Sequence, residues 1–196
     1  MLITGYASGA FPMPDADRPD EILWFCPEPR GLLPLGEDFH VPRRLGRTIR
    51  SGRFVCTADR AFDAVIHLCG VREEGTWISG DFLAAYGLMP RLGLAHSVEA
   101  WPAGAVGEGE PAGGVYGVAL GGAFFAESMF HTATDAGKVA LVHLVERLRA
   151  GGFRLLDVQW TTPHLRRFGA YDLPSGEYLA RLCSALAAPA RFPVES

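Results

Sequence analysis

The chain has 196 residues, of which 48% are apolar, and a formal net charge of -4. This length suffices for one main domain with a sizeable core, and because no 18 uninterrupted apolar residues occur, we expect no membrane-spanning helix. The net negative charge argues weakly against a nucleic-acid partner, because such binding usually depends on neutralising phosphates.

Residues 1–37 are rich in proline and glycine and show no sustained periodicity. They include two aromatic-proline clusters, Phe11-Pro12-Met13-Pro14 and Trp24-Phe25-Cys26-Pro27. We therefore predict a small irregular N-terminal domain over residues 1–37 and a second domain over residues 38–196. The first ten residues carry no basic leader and no long apolar run, which predicts a protein that stays in the cytoplasm.

Arginines are concentrated between His40 and Arg60, where six of them accompany a single acid. If residues 42–52 are helical, Arg43, Arg47 and Arg50 fall at positions i, i+4 and i+7 and project from one face. Such a face can hold a phosphate backbone. Taken alone, the segment is explained at least as well by a solvated helix.

The next elements alternate between strand and helix patterns. Residues 54–56 predict a short strand, and the apolar positions in residues 62–69 follow the i, i+3, i+4, i+7 spacing of an amphipathic helix. Residues 81–87 predict another helix that ends or bends near Pro90, and residues 96–101 alternate as a strand does.

The pair Gly121-Gly122 separates two apolar runs, residues 115–120 and 123–126, and predicts a tight hairpin. A helix capped by Thr134 or Asp135 should follow and end at Gly151-Gly152, with one apolar stripe facing the core. Residues 155–160 predict a further strand. The order of elements, without an internal repeat, predicts an α/β fold with a mixed sheet, helices on both faces and an acyltransferase-like arrangement.

Polar residues inside the last of these strands are the first candidates for chemistry. Alternation places Asp157 and Gln159 on one strand face, and an acid is disfavoured in a strand unless a partner or a cleft accounts for it. The alternative is an exposed strand face. Glu127 follows a hairpin strand directly and could bind an amine or a ribose hydroxyl. The alternative is a solvent-exposed carboxylate at the rim without a functional role. Trp77 could stack on a base, but a place in the core is the more common role for such a tryptophan. His164 is more often a structural loop histidine than a catalytic base.

Several motifs do not occur in this sequence. It contains no nucleotide-binding G-x-x-x-x-G-K-[ST], no esterase G-x-S-x-G and no H-E-x-x-H, and it lacks the pyrophosphate loop of acetyl-CoA-dependent N-acetyltransferases. The cysteines form no C-x-x-C pair, which predicts reduced, buried thiols and no metal site. They are Cys26, Cys56, Cys69 and Cys183.

A series of motifs in fixed order resembles the leucyl/phenylalanyl-tRNA-protein transferase family across nearly the whole chain. The motifs are Gly9-Ala10-Phe11-Pro12-Met13, Glu73-Glu74-Gly75-Thr76-Trp77-Ile78, Gly93-Leu94-Ala95-His96-Ser97-Val98-Glu99, Gly113-Gly114-Val115-Tyr116-Gly117-Val118-Ala119, Glu127-Ser128-Met129-Phe130 and Leu156-Asp157-Val158-Gln159. The resemblance implies an irregular N-terminal domain followed by an N-acetyltransferase-type domain. It also implies no metal and no diffusible cofactor, because aminoacyl-tRNA is already an activated ester.

The same resemblance assigns roles to particular residues. Gln159 would accept a hydrogen bond from the attacking amine, and Asp157 would orient that arrangement. Met13, Trp77 and Glu127 would surround the terminal adenosine and the reactive ester. The donor side-chain pocket would consist of Val115, Phe124, Leu141, Leu144 and Leu156, and tRNA would be held by Arg43, Arg44, Arg47 and Arg50.

The implied reaction transfers Leu, and also Phe or Met, from aminoacyl-tRNA to proteins that begin with Arg or Lys, which creates an N-degron. We expect a monomer. Departures from the family pattern occur at Gly137, His131, Arg167, Phe168 and Gly176. We also expect the additional N-terminal segment of longer members to be absent. Two alternatives remain at this point: an acyl-CoA-dependent N-acyltransferase and a non-catalytic tRNA-binding module.

Overall fold

The computed structural model describes residues 2–15, 18, 21–71 and 86–194. The N-terminal part begins with helix α1 (Leu2–Ala7), followed by strands β1 (Phe11–Pro14) and β2 (Ile22–Phe25), which pair antiparallel. This part is thus more regular than the sequence suggests, because short-range antiparallel pairing replaces the expected irregular backbone.

Seven strands form one mixed sheet in the order β4-β5-β6-β7-β8-β3-β9, with every neighbouring pair antiparallel except the parallel pair β7–β8. The strands are β3 (Arg30–Leu33), β4 (Phe54–Ala58), β5 (Ala95–Pro102), β6 (Gly113–Leu120), β7 (Ala123–His131), β8 (Leu155–Gln159) and β9 (Tyr171–Leu173). The predicted mixed sheet is confirmed, as is the hairpin at Gly121-Gly122. Strand β3 belongs to this sheet although it comes from residues 1–37.

Helices cover both faces of the sheet, as predicted. They are α2 (Arg43–Arg50), α3 (Phe62–Gly70), α4 (Ala136–Ala150), α5 (Pro163–Arg166) and α6 (Ser175–Leu186), with a 3-10 turn at Pro90–Leu92. One apolar cluster packs α2 and α4 against the sheet through residues such as Leu45 and Val139, and a second contains Tyr6, Val65 and Tyr178 from α1, α3 and α6. Both cores therefore depend on the sheet between them.

Helix α4 buries the predicted apolar stripe, because Leu141, Leu144, Val145 and Leu148 are each at most 3% exposed. The predicted side-chain cap is absent: Asp135 takes the N-cap position with φ of 71° and makes no capping hydrogen bond. Its carboxylate instead accepts a hydrogen bond from Lys138 Nζ at 2.8 Å. The ion pair thus replaces the cap.

The described residues also bear on the predicted 81–87 helix, on the cysteines and on membrane-spanning helices. Residues 86–88 are helical, whereas 81–85 of the predicted 81–87 helix lie outside the described part. The four cysteines are free thiols, but Cys26 and Cys183 are exposed, so the prediction of buried thiols was wrong for both. Cys26 follows the edge strand β2, and Cys183 lies on the exposed face of α6. No helix within the described ranges is long and apolar enough to cross a membrane.

Candidate active site

Asp157 lies in the middle of β8 and is completely buried, and its carboxylate is fully engaged. Arg30 approaches it side-on, with Nε 2.9 Å from Oδ1 and Nη2 2.8 Å from Oδ2. The Tyr178 hydroxyl donates to Oδ2 at 2.6 Å, and the backbone N–H of Gln159 donates to Oδ1 at 2.8 Å. Two side chains and one backbone group therefore satisfy the charge that a strand interior would otherwise disfavour.

Arg30 completes this network from the neighbouring strand β3. Its guanidinium is fully buried, donates from Nη1 to the Gly9 carbonyl at 2.9 Å and stacks over the rings of Phe11 and Tyr178. Burial alone would lower the pKa of Arg30, but the ion pair with Asp157 raises it above its ordinary value. Burial and the Asp157 carboxylate raise the pKa of Tyr178, so this hydroxyl stays protonated and keeps donating.

Gln159 ends β8 with a left-handed backbone, φ of 59°, which is uncommon for a residue other than glycine. This turn of the backbone breaks the alternation expected from the sequence, so Gln159 lines a cavity while Asp157 lies in the buried network behind it. Gly31 of β3 permits the turn, because a Cβ there would lie 2.6 Å from the carbonyl carbon of Trp160. Asp157 orients Gln159 through its backbone N–H.

The side chain of Gln159 is only 7% exposed, and its Nε2 has no hydrogen-bond partner within the described part of the chain. Unpaired buried amide donors are costly, so native proteins keep few of them. A positive φ and an unpaired donor in one residue are the kind of local strain that accumulates at functional sites. Since the described residues leave this donor unpaired, Gln159 is a candidate for direct contact with a ligand.

Glu127 is the second polar group of this site and occupies a β-bulge. Tyr116 pairs with Ser128 and Gly117 with Ala126, which leaves Glu127 without a partner in β6. Gly117 fits this irregular register because a Cβ there would lie 2.2 Å from the Phe125 carbonyl oxygen. Bulges redirect a side chain out of the strand pattern, and here the result is that Glu127 lines the same cavity as Gln159.

The carboxyl group of Glu127 is held by tyrosines. Tyr6 donates to Oε1 at 2.7 Å, Tyr86 is also hydrogen-bonded to it, and the two hydroxyls contact each other. Burial is the largest influence and raises the pKa of Glu127 to about 8, assisted by the charge of Asp157 and opposed by the hydrogen bond from Tyr6. At neutral pH, Glu127 is therefore mostly a protonated acid that can donate as well as accept.

The cavity between these groups, called here the Gln159 cavity, has a volume of about 250 Å³. It is lined by Val115, Ala126, Glu127, Ser128, Met129, Leu141, Val158, Gln159, Thr162, His164 and Leu165. Of the five predicted pocket residues, Val115 and Leu141 line it. Phe124, Leu144 and Leu156 are at most 1% exposed and belong to the apolar core that contains both. Met129, Val158 and Leu165 were missed.

The remaining predicted site residues are distributed around this centre. Met13 is half-buried against the cluster that contains Tyr6 and Phe11, and Trp77 lies outside the described residues. Helix α2 forms as expected, and its four predicted tRNA-binding arginines are exposed. Arg44 lies on the side nearest Asp135, since its charge lowers the pKa of that carboxyl together with the closer Lys138.

The departures from the family pattern have different structural consequences. A Cβ at Gly137 would lie 2.7 Å from the Phe130 carbonyl oxygen, so a larger residue there requires the start of α4 to move. Phe168 is buried and stacks on Phe39, whereas Arg167 and His131 are exposed. A Cβ at Gly176 would meet open space, so nothing in the structure explains that glycine.

The arrangement combines an apolar cavity with an unpaired amide and a neutral carboxylic acid. An apolar side chain can fill the cavity while the carbonyl group attached to it meets the amide, which suits a ligand with a short apolar group next to a reactive carbonyl. The described residues contain no group of three or more His, Cys, Asp or Glu side chains that could hold a metal ion. The chemistry available from these side chains is positioning, hydrogen bonding and proton transfer.

Comparison with known proteins gives matches over nearly all of the chain. A family model described as leucyl/phenylalanyl-tRNA protein transferase matches residues 32–183, and a model of the N-terminal domain of these transferases matches residues 1–28.

Relatives that carry the name leucyl/phenylalanyl-tRNA–protein transferase are similar along their length. One from Herpetosiphon aurantiacus is 52% identical over 98% of this chain and 96% of its own length. One from Caulobacter vibrioides is 51% identical over 97% of this chain and 87% of its own. One from Paramagnetospirillum magneticum is 50% identical over 98% and 90%, respectively.

Proposed function

The chain belongs to the leucyl/phenylalanyl-tRNA protein transferase family, and from this premise we propose which residues carry its reaction and which substrates it takes. It is an aminoacyltransferase that moves Leu or Phe from aminoacyl-tRNA to the N-terminus of a protein. The Gln159 cavity receives the donor side chain. The observation that carries this assignment is the unpaired, buried amide of Gln159 beside an apolar cavity.

The reaction joins the acceptor α-amine to the ester carbonyl carbon and releases the 3′ oxygen of the terminal ribose, which takes up a proton. Gln159 accepts a hydrogen bond from the attacking amine through its side-chain oxygen. Its Nε2, unpaired within the described residues, is free to bind the ligand on the other side. An α-amine has a reference pKa of about 8, so most of it is protonated near neutral pH. Gln159 acts on the unprotonated fraction by positioning it for attack.

Asp157 acts on this step from behind and does not touch the substrate. It fixes the backbone of Gln159 through the 2.8 Å hydrogen bond and is itself held by Arg30 and Tyr178. Glu127, with a pKa of about 8, lines the same cavity and is able to exchange a proton around neutrality. It hydrogen-bonds the ribose or the acceptor amine at the mouth of the cavity.

The lining of the cavity indicates the donor class. Val115, Leu141, Met129, Val158 and Leu165 present apolar surface to the ligand, which suits Leu, Phe and Met. A smaller side chain leaves methylene-sized space unfilled and loses about 0.8 kcal/mol for each CH₂. Donors branched at Cβ clash close to the carbonyl, where Gln159 limits the space.

Acceptor choice follows the family resemblance: proteins that begin with Arg or Lys are the substrates, and the product is an N-degron. A cationic acceptor side chain placed near Glu127 would favour the ionised form of this carboxyl group, which agrees with such a preference. We assign the enzyme to the cytoplasm, where charged tRNA is made, and to a monomeric state. The N-terminal domain comprises roughly residues 1–37, with β3 contributed to the sheet of the catalytic domain.

The test is transfer of radiolabelled leucine from leucyl-tRNA to two peptides that differ only in an N-terminal Arg or Asp, with valyl-tRNA as the control donor. Transfer of leucine to the Arg peptide alone supports donor and acceptor together. Transfer to both peptides contradicts the acceptor assignment. Tight tRNA binding without transfer to either peptide contradicts the catalytic assignment, and binding of acetyl-CoA in calorimetry contradicts the donor class.

A further inference from the structure

Two more cavities continue from the Gln159 cavity. The His131 cavity, about 280 Å³, is lined by Met129, His131, Asp135, Gly137, Lys138 and His164. The Arg44 cavity, about 250 Å³, is lined by Pro42, Arg44, Leu45, Thr134, Asp135, Lys138, His164, Arg167 and Phe168. Met129 and His164 are shared by the first pair, and Asp135, Lys138 and His164 by the second. The shared lining residues place the three cavities side by side, along a path that leads from Gln159 to helix α2.

The far end of this path is positively charged. Arg44, Lys138 and Arg167 line the Arg44 cavity against the single acid Asp135, so three positive charges face one negative charge. Lys138, the only lysine of the chain, pairs with Asp135 at 2.8 Å. Within the described residues the side chains of Arg44 and Arg167 make no ion pair or hydrogen bond. Their charges are available to an anion.

His164 lies where the three cavities meet. Its ring packs edge-on against Phe168, with the ring centroids 5.5 Å apart. Its Nε2 is buried and has no hydrogen-bond partner among the described side chains and backbone groups. Burial, followed by the charges of Lys138 and Arg167 and the nearby His131, lowers the pKa of His164. A ligand oxygen beside this nitrogen would satisfy a polar atom that the described residues leave unpaired.

We propose that the Arg44 cavity, together with His164, binds the phosphodiester groups of the unpaired 3′ strand of the donor tRNA. This proposal rests on the proposed function, because the reacting ester must lie in the Gln159 cavity for the preceding nucleotides to follow the path. Guanidinium and ammonium groups are the usual partners of backbone phosphates. Arg43, Arg47 and Arg50, the other exposed arginines of α2, are then left for the acceptor stem.

The experiment uses donors that differ only in the number of phosphodiesters. Leucyl-adenosine has none, and leucyl-CpCpA has two. The readout is the gain in kcat/KM when the donor is extended from the first to the second, with an N-terminal Arg peptide as acceptor. Arg167→Gln and Lys138→Gln remove one charge each, and Arg167 is exposed, so its replacement does not threaten folding. Arg154→Gln, at the opposite end of β8 from Gln159, removes an exposed charge as the matched control.

The proposal predicts that the wild type gains from the extension and that Arg167→Gln and Lys138→Gln each lose about five- to tenfold of the gain. The slope of log K against log salt for CpCpA binding should become shallower by about 0.7 for each lost contact, while Arg154→Gln keeps the wild-type slope. A full gain in both variants overturns the proposal, as does a wild type that gains nothing from the extension.

Failure of the proposed function is distinguishable from failure of this site. Calorimetric binding of unacylated CpCpA needs no reaction, so the site can be tested in a protein that transfers nothing. Weaker binding of CpCpA to Arg167→Gln, without a change in the binding of adenosine, supports the site even then. Equal binding of CpCpA to the variants and the wild type overturns it.

Discussion

Asp157 and Gln159 lie in the same strand with only Val158 between them, yet they occupy opposite kinds of environment. The Asp157 carboxylate receives hydrogen bonds from Arg30, Tyr178 and the Gln159 backbone and is sealed from solvent. The Gln159 amide ends in a cavity, and its nitrogen has no hydrogen-bond partner among the residues that the structure describes. The comparison gives the buried Asp157 charge a structural role and leaves the neutral Gln159 amide as the group that, in the proposed function, contacts the substrate.

The largest expected effect comes from breaking the hydrogen-bond network of Asp157. Asp157→Ala leaves the buried Arg30 guanidinium without its carboxylate, and loss of one partner of a buried ion pair costs about 3 to 5 kcal/mol. The free energy of unfolding in urea should fall by that amount, and transfer activity should fall with it. The family resemblance implies only that Asp157 orients the reacting groups, which does not by itself predict a loss of stability.

A double variant tests whether the lost stability comes from the unpaired Arg30 charge. Asp157→Leu combined with Arg30→Met removes both charges and should recover much of the lost stability, because apolar replacements of a buried pair are often tolerated. It should not recover activity, since the backbone of Gln159 remains unsupported. Stability of Asp157→Ala equal to that of the wild type would contradict the structural role of the network.

A smaller effect is expected from changing the shape of the Gln159 cavity. Leu141→Phe places additional volume in the Gln159 cavity and should reduce kcat/KM for phenylalanyl-tRNA about tenfold relative to leucyl-tRNA. Leu144→Met is the matched control, because Leu144 lies in the core and does not line the cavity. An equal change in donor preference in both variants would mean that the pocket extends into the core, as the family resemblance implies.

A further prediction concerns the pH dependence of stability that Glu127 causes. Its pKa of about 8 in the folded protein lies above the ordinary value of 4.5, so the folded state holds this proton more tightly than the unfolded state does. The stability that Glu127 contributes is complete below pH 4.5 and is lost as the pH rises towards 8, with a slope of at most about 1.4 kcal/mol per pH unit. Unfolding measured from pH 5 to 8 should show this decline, and Glu127→Gln should flatten it. A decline of the same steepness in Glu127→Gln would assign it to other groups.

Periodicity predicted the elements whose apolar residues are regularly spaced. The stripe of α4, the hairpin around Gly121-Gly122 and strand β8 all appear where their patterns place them. The sequence missed β3 and β9, because strands of four and three residues are too short to show a period. The ion pair of Arg30 with Asp157 joins residues 127 positions apart, and no local pattern encodes such a contact.

The sequence indicated the polar residues of the candidate site but not their geometry or most of the apolar lining. Motifs indicated Asp157, Gln159 and Glu127, yet strict alternation gives the first two residues the same role. The positive φ of Gln159 and the bulge at Glu127 break this alternation, and both depend on close packing at Gly31 and Gly117. The sequence did not indicate Met129, Val158 and Leu165 as lining residues, because the cavity is formed by elements that meet only after folding.

The most direct test measures one variant, Gln159→Ala, in two ways. The single-turnover rate of leucine transfer from leucyl-tRNA to an N-terminal Arg peptide should fall about 100-fold or more, because a group acting directly on the reacting atoms is lost. Its free energy of unfolding should stay within about 1 kcal/mol of the wild type, because the unpaired Nε2 loses no hydrogen bond. A near-normal rate, or a loss of activity that merely follows a loss of stability, would contradict the claim that Gln159 acts on the substrate.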